Sequence, residues 1–403
     1  MTAPTPIDLA DPNTYVDGVP HAAFHSLREK DPVSWQEESG GSGFWAVTRH
    51  ADVVHVSKNP RIFSSALAAT NITEPAADEL EILRSLLINM DPPRHVKFRR
   101  LVRSGFTPSR VQLLRRRVQE QARELVEALI QKGECDFVTE VAAELPMRVI
   151  SELLGVPEQD RPKIFDLSNR LIGFDDPEFQ NSPEDGKQAA AEMWLYAHQL
   201  ASERRGGDGD DLLSVLLRAE VDGERLTEPE VDNFFLLLAV AGNETTRNLI
   251  SGAMQALIEH PDQWERLRRD RSLLASGVEE FLRWVTPVMH FRRTAAEDTV
   301  LSGRRISEGD KVVMFYSSAN RDAAVFENPD CFDVSRNPNP HLALGIGEHY
   351  CLGANLARLE IAAVFDELLR NVHRLESGGP ARRLRSSFIA GIKSMPVRVL
   401  LED

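Results

Sequence analysis

Cysteine is scarce in this sequence. The 403 residues include three cysteines, Cys135, Cys331 and Cys351, and these are widely spaced. An odd number of cysteines at such spacing is not a disulfide framework and suits a reducing compartment. No Cys-x-x-Cys or Cys-x-x-Cys-His motif occurs, which argues against a zinc ribbon and against a covalently attached c-type haem.

Long apolar runs are also missing. The most apolar stretch, Phe234–Gly242, is far shorter than the ~20 residues needed to span a bilayer. The first residues, Met1–Asp11, are polar and contain prolines, without the basic and apolar regions of a signal peptide. We therefore expect a soluble, cytoplasmic protein.

Basic residues are outnumbered by acidic ones. The chain has 47 Lys and Arg against 62 Asp and Glu, a formal net charge of -15. A strongly acidic total argues against nucleic acid as a partner, although a local basic patch can still exist. Hydrophobic residues make up 42% of the chain, which is enough for a sizeable core.

The pattern of apolar residues predicts a mainly α protein with a minor β part. Apolar residues recur at spacings of three and four in Arg110–Lys132, Asp136–Leu154 and Gly186–Arg205, as in helices. Short strands are expected in a β-rich part that occupies about residues 30–65, 290–320 and 383–401. No linker or repeat divides the sequence, so we expect one domain over residues 1–403.

The clearest helix is predicted from Thr227 to about His260. Thr227 can cap its N-terminus, with Pro229 in the first turn and Glu230 as the capping-box partner. Its middle is apolar on nearly all faces, so the helix should be buried.

The sharpest motif is a glycine-rich loop around Cys351. It reads Leu344-Gly345-Ile346-Gly347-Glu348-His349-Tyr350-Cys351-Leu352-Gly353 and leads into a helix predicted from Ala354. Glycines allow a tight turn and a close approach of the backbone to a planar ligand. A helix N-terminus lowers the pKa of a thiol and favours the thiolate. His349 is placed to meet an anionic group at the edge of such a ligand.

Two other interpretations of this loop are open from the residues alone. Cys351 could be a buried structural cysteine in a glycine-rich turn. It could also be the nucleophile of a cysteine protease with His349 as its base, but no orienting third residue is evident.

The complete string resembles the haem-binding loop of the cytochrome P450 family, whose signature is Phe-x-x-Gly-x-His/Arg-x-Cys-x-Gly. The sequence departs once, with Leu344 in place of the usual Phe, a change that could shift the redox potential or the rigidity of the loop. The resemblance extends over nearly the whole chain. It implies the P450 fold, with a long central helix over a buried haem b, and it implies that Cys351 is the thiolate ligand of the iron, a role known for the family.

The resemblance also implies the rest of the cofactor site. The expected cofactor-binding residues are His95, Arg99, Ala241, Gly242, Arg293, Leu344, Gly345, His349, Cys351 and Gly353. His95 and Arg99 lie four residues apart and share a helix face, as two donors to one haem propionate would. Arg293 matches a further propionate contact, although the adjacent Arg292 could take its place.

An acid and an alcohol lie midway along the long predicted helix, in Ala241-Gly242-Asn243-Glu244-Thr245. An ionisable residue in an apolar stretch needs a reason, and an acid beside a hydroxyl can relay protons. In the family this pair delivers protons for oxygen activation, so the resemblance makes Glu244 and Thr245 the catalytic pair and O2 the oxidant. The alternative is that Thr245 bonds back to its own helix and Glu244 pairs with Arg247 near a surface.

Three charged residues match a structural network of the family. Glu280 and Arg283 are spaced by three and share a helix face, and Arg336 would complete a buried Glu-Arg-Arg network behind the cysteine loop. The resemblance implies a role in folding and haem retention. An ordinary surface ion pair has the same spacing and is the alternative.

Basic residues concentrate on one predicted helix, at Arg94, Lys97, Arg100 and Arg103, and a run at Arg115–Arg117 follows. Such a face can dock an acidic electron donor through electrostatic steering. The sequence has no flavin or Gly-x-Gly-x-x-Gly signature and no room for a fused reductase. The resemblance therefore implies a separate ferredoxin or flavodoxin that relays electrons from NAD(P)H. A solvated helix face is the alternative, above all for Arg115–Arg117.

Segments that line the substrate pocket in the family are mostly apolar here, which suits a lipophilic substrate. The expected pocket residues are Ile88, Leu171, Ile172, Phe174, Leu237, Leu238, Val288, Met289, Phe291, Ile389 and Ile392. Each could equally belong to the core. The stretches Val288–Ala295 and Phe388–Val397 are similar to an actinobacterial branch that hydroxylates sterol side chains, methyl-branched lipids and monoterpene alcohols.

The implied activity is that of a monooxygenase, which inserts one atom of O2 into a C–H bond of a lipophilic small molecule and reduces the other to water. A related haem-thiolate enzyme that performs oxidative coupling or dehydrogenation is one alternative. A non-catalytic haem sensor or ligand carrier is another, and Leu344 is its only hint in the sequence.

Overall fold

Helices dominate the structure, and the expected mainly α fold with a small β part is confirmed. The computed structural model describes residues 7–401 apart from residues 104, 105, 107, 181 and 222, and it describes only the backbone of residues 78, 108–111, 113, 183 and 221. The helices are α1 (His21–Lys30), α2 (His50–Lys58), α3 (Ala77–Leu83), α4 (Arg94–Arg103), α5 (Pro108–Lys132), α6 (Glu144–Leu154), α7 (Arg161–Ile172), α8 (Pro183–Arg204), α9 (Leu212–Arg218), α10 (Glu228–Glu259), α11 (Pro261–Arg269), α12 (Leu274–Val285), α13 (Tyr316–Ala319) and α14 (Ala354–Asn371).

The strands are short and form several small sheets. They are β1 (Val33–Gln36), β2 (Phe44–Val47), β3 (Phe63–Ser64), β4 (Glu134–Asp136), β5 (Glu220–Val221), β6 (Glu224–Arg225), β7 (His290–Ala295), β8 (Thr299–Leu301), β9 (Arg304–Ile306), β10 (Lys311–Phe315), β11 (Arg374–Ser377), β12 (Arg382–Arg383), β13 (Ile392–Ser394) and β14 (Pro396–Leu400). The largest sheet has the order β1-β2-β10-β7-β3. In it β2 and β10 run parallel and the other neighbours run antiparallel.

The long helix predicted from Thr227 is α10. The Glu230 carboxylate accepts the Thr227 N–H at 2.8 Å, which satisfies one of the free donors of the first turn, and the helix ends just before Pro261. Most of its side chains are buried, and it packs against α6, α7, α8, α12 and α14. α10 is therefore the centre of the helical part. Among the described helices, none is long and apolar enough to cross a membrane.

Four short strands lie outside the regions expected to be β-rich. β4 and β11 both pair with β14, while β5 and β6 form a hairpin. The helix predicted over Asp136–Leu154 is also interrupted, because Asp136 ends β4, Val138–Ala142 forms a π-helical segment and α6 begins only at Glu144. Asp136 accepts the N–H groups of Val138 and Thr139, so it starts a new turn there. Strands of two or three residues carry too little alternation to be read from sequence.

Glu280, Arg283 and Arg336 do form a buried network behind the cysteine loop. Arg283 donates to both carboxylate oxygens of Glu280 at 2.7 Å, and Arg336 Nε donates to the same carboxylate at 3.1 Å. The side chains of Glu280 and Arg283 are fully buried. The surface alternative is therefore excluded, while the contribution of the network to haem retention remains a prediction.

We expect Glu280→Gln to destabilise the fold strongly, because it leaves two arginines buried without their counter-charge. Breaking a buried ion pair typically costs roughly 3–5 kcal/mol. The free energy of unfolding can be measured by urea denaturation of the haem-loaded protein. Asp298→Asn, which removes the exposed pair between Asp298 and Arg305, is the matched control and should change little. Equal effects of the two substitutions would contradict the role given to Glu280.

Candidate functional site

A large cavity lies between α10, α14 and the cysteine loop. All ten residues predicted to bind the cofactor line it: His95, Arg99, Ala241, Gly242, Arg293, Leu344, Gly345, His349, Cys351 and Gly353. These residues come from segments that are far apart in sequence, and the fold brings them together around one cavity. Their individual roles remain predictions.

The cysteine loop is shaped by two glycines with left-handed backbone. Gly345 has φ 69° and Gly347 has φ 77°, a region that favours glycine. A Cβ atom on Gly347 would lie 2.9 Å from the carbonyl oxygen of Ser57 at the end of α2. The loop closes where the Cys351 N–H donates to the Leu344 carbonyl at 2.8 Å. The turn therefore lies directly against α2 and presents Cys351 to the cavity.

The sulfur of Cys351 is buried at the cavity wall. Burial raises the pKa of its thiol, while a hydrogen bond from the Gly353 N–H and the charge of Arg99 act in the opposite direction. The helix N-terminus acts in the expected direction through the Gly353 N–H, but in the protein alone desolvation outweighs it. A metal ion bound to the sulfur would displace the proton. No group of three His, Cys, Asp or Glu side chains within the described residues could hold a metal, so such an ion would need further ligands from a cofactor.

The end of the cavity beside α4 contains a buried histidine that lacks hydrogen-bond partners in the described part of the chain. Both ring nitrogens of His95 are buried without a hydrogen-bond partner among the described residues, and its ring centroid lies 4.1 Å from that of His349. Burial, with Arg99 and Arg293 nearby, lowers the pKa of His95 to about 4. Because buried polar groups in proteins are almost always hydrogen-bonded, this end fits an acidic ligand group such as a haem propionate.

The structure separates Arg293 from Arg292. Side chains alternate along a strand, and β7 directs Arg293 to the cavity while Arg292 is absent from its walls. Arg292 is instead bound to the segment before α3, where it contacts Glu74 at 2.9 Å and the Ile72 carbonyl at 3.3 Å. Of the two candidates, Arg293 is the one positioned to meet a propionate.

α10 crosses the cavity with small residues at 241 and 242. A Cβ atom on Gly242 would lie 2.8 Å from Cδ1 of Ile150 in α6, so this glycine is needed for helix packing as well as for space beside a ligand. Thr245 also lines the cavity. Its Oγ1 donates to the Ala241 carbonyl at 2.8 Å, which leaves the lone pairs of the hydroxyl free to accept a hydrogen bond.

Glu244 does not line the cavity. Its carboxylate is paired with Arg247 and accepts Nδ2 of Asn243 at 3.1 Å, and Arg247 donates in turn to Asn169 of α7 at 2.6 Å. The sequence alone left open that Glu244 forms an ion pair with Arg247 near a surface instead of taking part in a proton relay. The ion pair is present, but it is buried. Burial raises the pKa of Glu244 and Arg247 opposes the rise. The carboxylate of Glu244 must therefore leave Arg247 before it can reach the cavity.

Five of the expected pocket residues line the cavity: Ile88, Leu237, Leu238, Val288 and Phe291. Six others do not: Leu171, Ile172, Phe174, Met289, Ile389 and Ile392. Ile172 and Ile389 pack behind Val288 and Phe291, Leu171 and Ile392 belong to the main core, Phe174 lies at the surface and Met289 is fully buried. Apart from Phe174, these residues form a second layer or plain core. The direction of a side chain is set by strand and helix packing, which spacing does not reveal.

Several cavity residues were not predicted. They are Leu87, Phe106, Ile150, Phe234, Thr246, Leu249, Tyr316, Leu356, Ala357 and Glu360, among others. Those on α10 and α14 continue helix faces at spacings of three and four from Gly242 and Gly353. That spacing was the available signal.

The basic residues of α4 are partly paired with acids. Lys97 is bound to Glu224 of the β5–β6 hairpin, and Arg94 lies 3.8 Å from Glu230. Arg94, Arg100 and Arg103 are exposed. Arg116 and Arg117 pair with Glu120 and Glu152, which fits the solvated face considered for the Arg115–Arg117 run.

Comparisons with known proteins agree with this geometry. The family model described as Cytochrome P450 matches residues 146–376. A Steroid C26-monooxygenase of Rhodococcus jostii is 44% identical over 98% of this chain and 85% of that protein. A Methyl-branched lipid omega-hydroxylase of Mycobacterium bovis is 42% identical over 94% of this chain and 91% of that protein.

A solved structure is similar along its whole length. The Mycobacterium marinum cytochrome P450 in complex with pseudoionone has a TM-score of 0.91 and 39% identity, and the match covers 99% of both chains. The expected fold and the expected monooxygenase class are confirmed. On its sequence, its fold and the thiol at its central cavity, the chain belongs to the cytochrome P450 family.

Proposed function

We propose that this P450 hydroxylates a C–H bond near the end of a branched lipophilic molecule, such as a sterol side chain, a terpenoid or a methyl-branched lipid. The observation that carries the proposal is the division of the cavity. Cys351 and Thr245 line the cavity, the unpartnered imidazole of His95 lies beside His349, Arg99 and Arg293, and most of the other lining side chains are apolar. Steroid C26 and the omega position of a lipid, in the names of two relatives, both denote the end of a chain.

Haem b fits the cavity through residues of this chain. Cys351 would hold the iron, His95, Arg99, Arg293 and His349 would hold the propionates, and Ala241 and Gly242 leave room at the flat face. When bound, the haem activates O2 and inserts one of its atoms into the substrate. The protein contributes orientation and exclusion of water.

Thr245, which lines the cavity, would relay a proton through its Oγ1 hydroxyl, giving up its own hydrogen as it takes another from Glu244. Glu244 would supply that proton after its carboxylate leaves Arg247, takes up a proton from solvent and turns toward Thr245. Asn169 and Asn243 hold the pair in its present position. Such an acid–alcohol relay requires O2 and external electrons rather than peroxide.

The substrate side of the cavity favours a neutral apolar molecule. Its walls there are formed by Ile88, Phe234, Leu237, Val288 and Phe291. No charged side chain stands among these five, so an ionised group of a substrate would lose its hydration without compensation.

The electrons would come from a separate ferredoxin or flavodoxin, and ultimately from NAD(P)H. The exposed basic face of α4 lies beside Arg99, whose guanidinium donates to the carbonyl of Tyr350, the residue before Cys351. An acidic donor on this face would be close to the ligand loop. Its rate of encounter would fall as salt screens the charges.

The first test is an absorption spectrum of the purified protein, reduced with dithionite and exposed to carbon monoxide. We expect a Soret band shifted to the red, as thiolate ligation requires, and its loss in Cys351→His. Leu344→Phe should retain it. A band at the shorter wavelength of histidine or neutral thiol ligation in the unaltered protein would contradict the proposal.

Product analysis with a cholesterol-type sterol would then distinguish hydroxylation from dehydrogenation.

His95→Phe should release haem faster than the unaltered protein, because a hydrogen bond to a charged group is worth about 1.5–3 kcal/mol, or roughly ten- to a hundredfold in affinity. Transfer of haem to apomyoglobin measures the rate. His290→Phe is the matched control, since His290 is equally buried and also lacks a hydrogen-bond partner among the described residues but does not line the cavity. Unchanged release from His95→Phe would remove this residue from the propionate site.

Arg103→Glu should raise the ferredoxin concentration needed for half-maximal turnover, by roughly tenfold at low salt, and should weaken its dependence on ionic strength. The rate of haem reduction measured against ferredoxin concentration at several salt concentrations checks this. Arg305→Glu, an equally charge-reversing change on the exposed β9, should have no such effect. If both variants behave alike, docking does not use α4.

A further inference from the structure

A serine outside the cavity contacts one of the residues that line it. The Oγ atom of Ser65 lies 3.3 Å from Nε2 of His349, and 2% of Ser65 is exposed. Ser65 follows directly after β3 and does not line the cavity itself. The sequence motifs did not point to it. Its hydroxyl therefore contacts, from outside the cavity, a ring that is expected to meet a haem propionate.

Two neighbouring histidines at this end of the cavity differ in their partners. Both ring nitrogens of His95 lack a hydrogen-bond partner among the described residues. The ring of His349, whose centroid lies 4.1 Å from that of His95, has the Ser65 hydroxyl and the backbone of Met90 as partners. The protein thus fixes the ring of His349 before a ligand binds, while both nitrogens of His95 stay available to that ligand.

The carboxylate of Asp91 holds Ser65 in place. It accepts the backbone N–H of Ser65 at 2.8 Å and also the hydroxyl of Ser64. The Ser64 hydroxyl accepts two backbone N–H groups of the same turn, each at 3.0 Å. The two serines therefore have different tasks, because Ser64 stabilises the turn after β3 and Ser65 directs its hydroxyl to His349.

A ring that has to meet a propionate needs a fixed orientation. The χ2 torsion of a histidine has broad minima, so packing alone holds the ring loosely. A hydrogen bond to one ring nitrogen decides which nitrogen carries the N–H and how the ring is turned. Without the Ser65 hydroxyl the ring of His349 would be free to turn toward His95, and the two imidazoles would then bind each other instead of an acidic ligand group.

We propose that Ser65 is a positioning residue, which holds the ring of His349 in the orientation that a haem propionate requires. The inference rests on the proposed function, because it takes the cofactor to be haem with its propionates beside α4. Since Ser65 does not line the cavity, it acts on the cofactor only through His349. The hydroxyl of Ser65 therefore matters to the cofactor only while the imidazole of His349 is present.

The test is a double-mutant cycle in the haem-loaded protein, with Ser65→Ala, His349→Ala and the two substitutions combined. The first readout is the rate of haem transfer to apomyoglobin. We expect Ser65→Ala to release haem about fivefold faster, as loss of one neutral hydrogen bond does, and to cause no further increase in the His349→Ala background. The second readout is resonance Raman spectroscopy, in which the bands of the haem propionates should shift in Ser65→Ala.

Ser64→Ala is the matched control, because the hydroxyl of Ser64 bonds to Asp91 and to the turn rather than to His349. It should lower the free energy of unfolding and leave both haem release and the propionate bands unchanged. Unaltered haem release in Ser65→Ala, equal release from the two serine variants, or additive effects of Ser65→Ala and His349→Ala would each overturn the inference. Loss of the thiolate spectrum from the unaltered enzyme would instead overturn the proposed function.

Discussion

The carboxylate of Glu280 connects parts of the chain that are distant in sequence. It accepts hydrogen bonds from the side chains of Arg283, Arg336 and Asn339 and from the backbone N–H of Asp333. Arg283 also donates to the carbonyls of Asn320 and Pro329. Because the group is fully buried, these bonds replace hydration that it has lost. The segment that it anchors, Asp333–Asn339, has little regular structure and leads into the cysteine loop.

The cavity separates three kinds of chemistry along its length. The unpartnered ring of His95 lies with Arg99, Arg293 and His349 at one end, the sulfur of Cys351 lies at one wall, and apolar side chains form most of the remaining lining. The separation matters for two reasons. A charge among the apolar side chains would admit water, and an apolar end would not hold an acidic group. Glu244 follows the same division, because it is paired with Arg247 outside the cavity.

The sequence predicted which motifs are present better than it predicted which way individual side chains point. The fold class, α10 with its cap, and the presence at one cavity of all ten residues predicted to bind the cofactor could be predicted because each rests on a motif with fixed spacing. Which of Arg292 and Arg293 points into the cavity depends on which face of β7 is turned toward it. Ile172 and Ile389 lie behind the cavity wall because of packing between segments that are distant in sequence. The ion pair that turns Glu244 away from the cavity is equally invisible to spacing, since Arg247 competes with the cavity only once α10 is buried against α7.

The contact between Gly347 and the Ser57 carbonyl has a consequence for how the protein matures. The ligand loop near the C-terminal end of the chain rests on α2, which belongs to the first sixty residues. Contacts of such high sequence separation form late, because the loop entropy between the partners must be lost first. The ribosome must therefore release nearly the whole chain before a complete pocket exists, and capture of the prosthetic group is a step that closes folding rather than one that starts it.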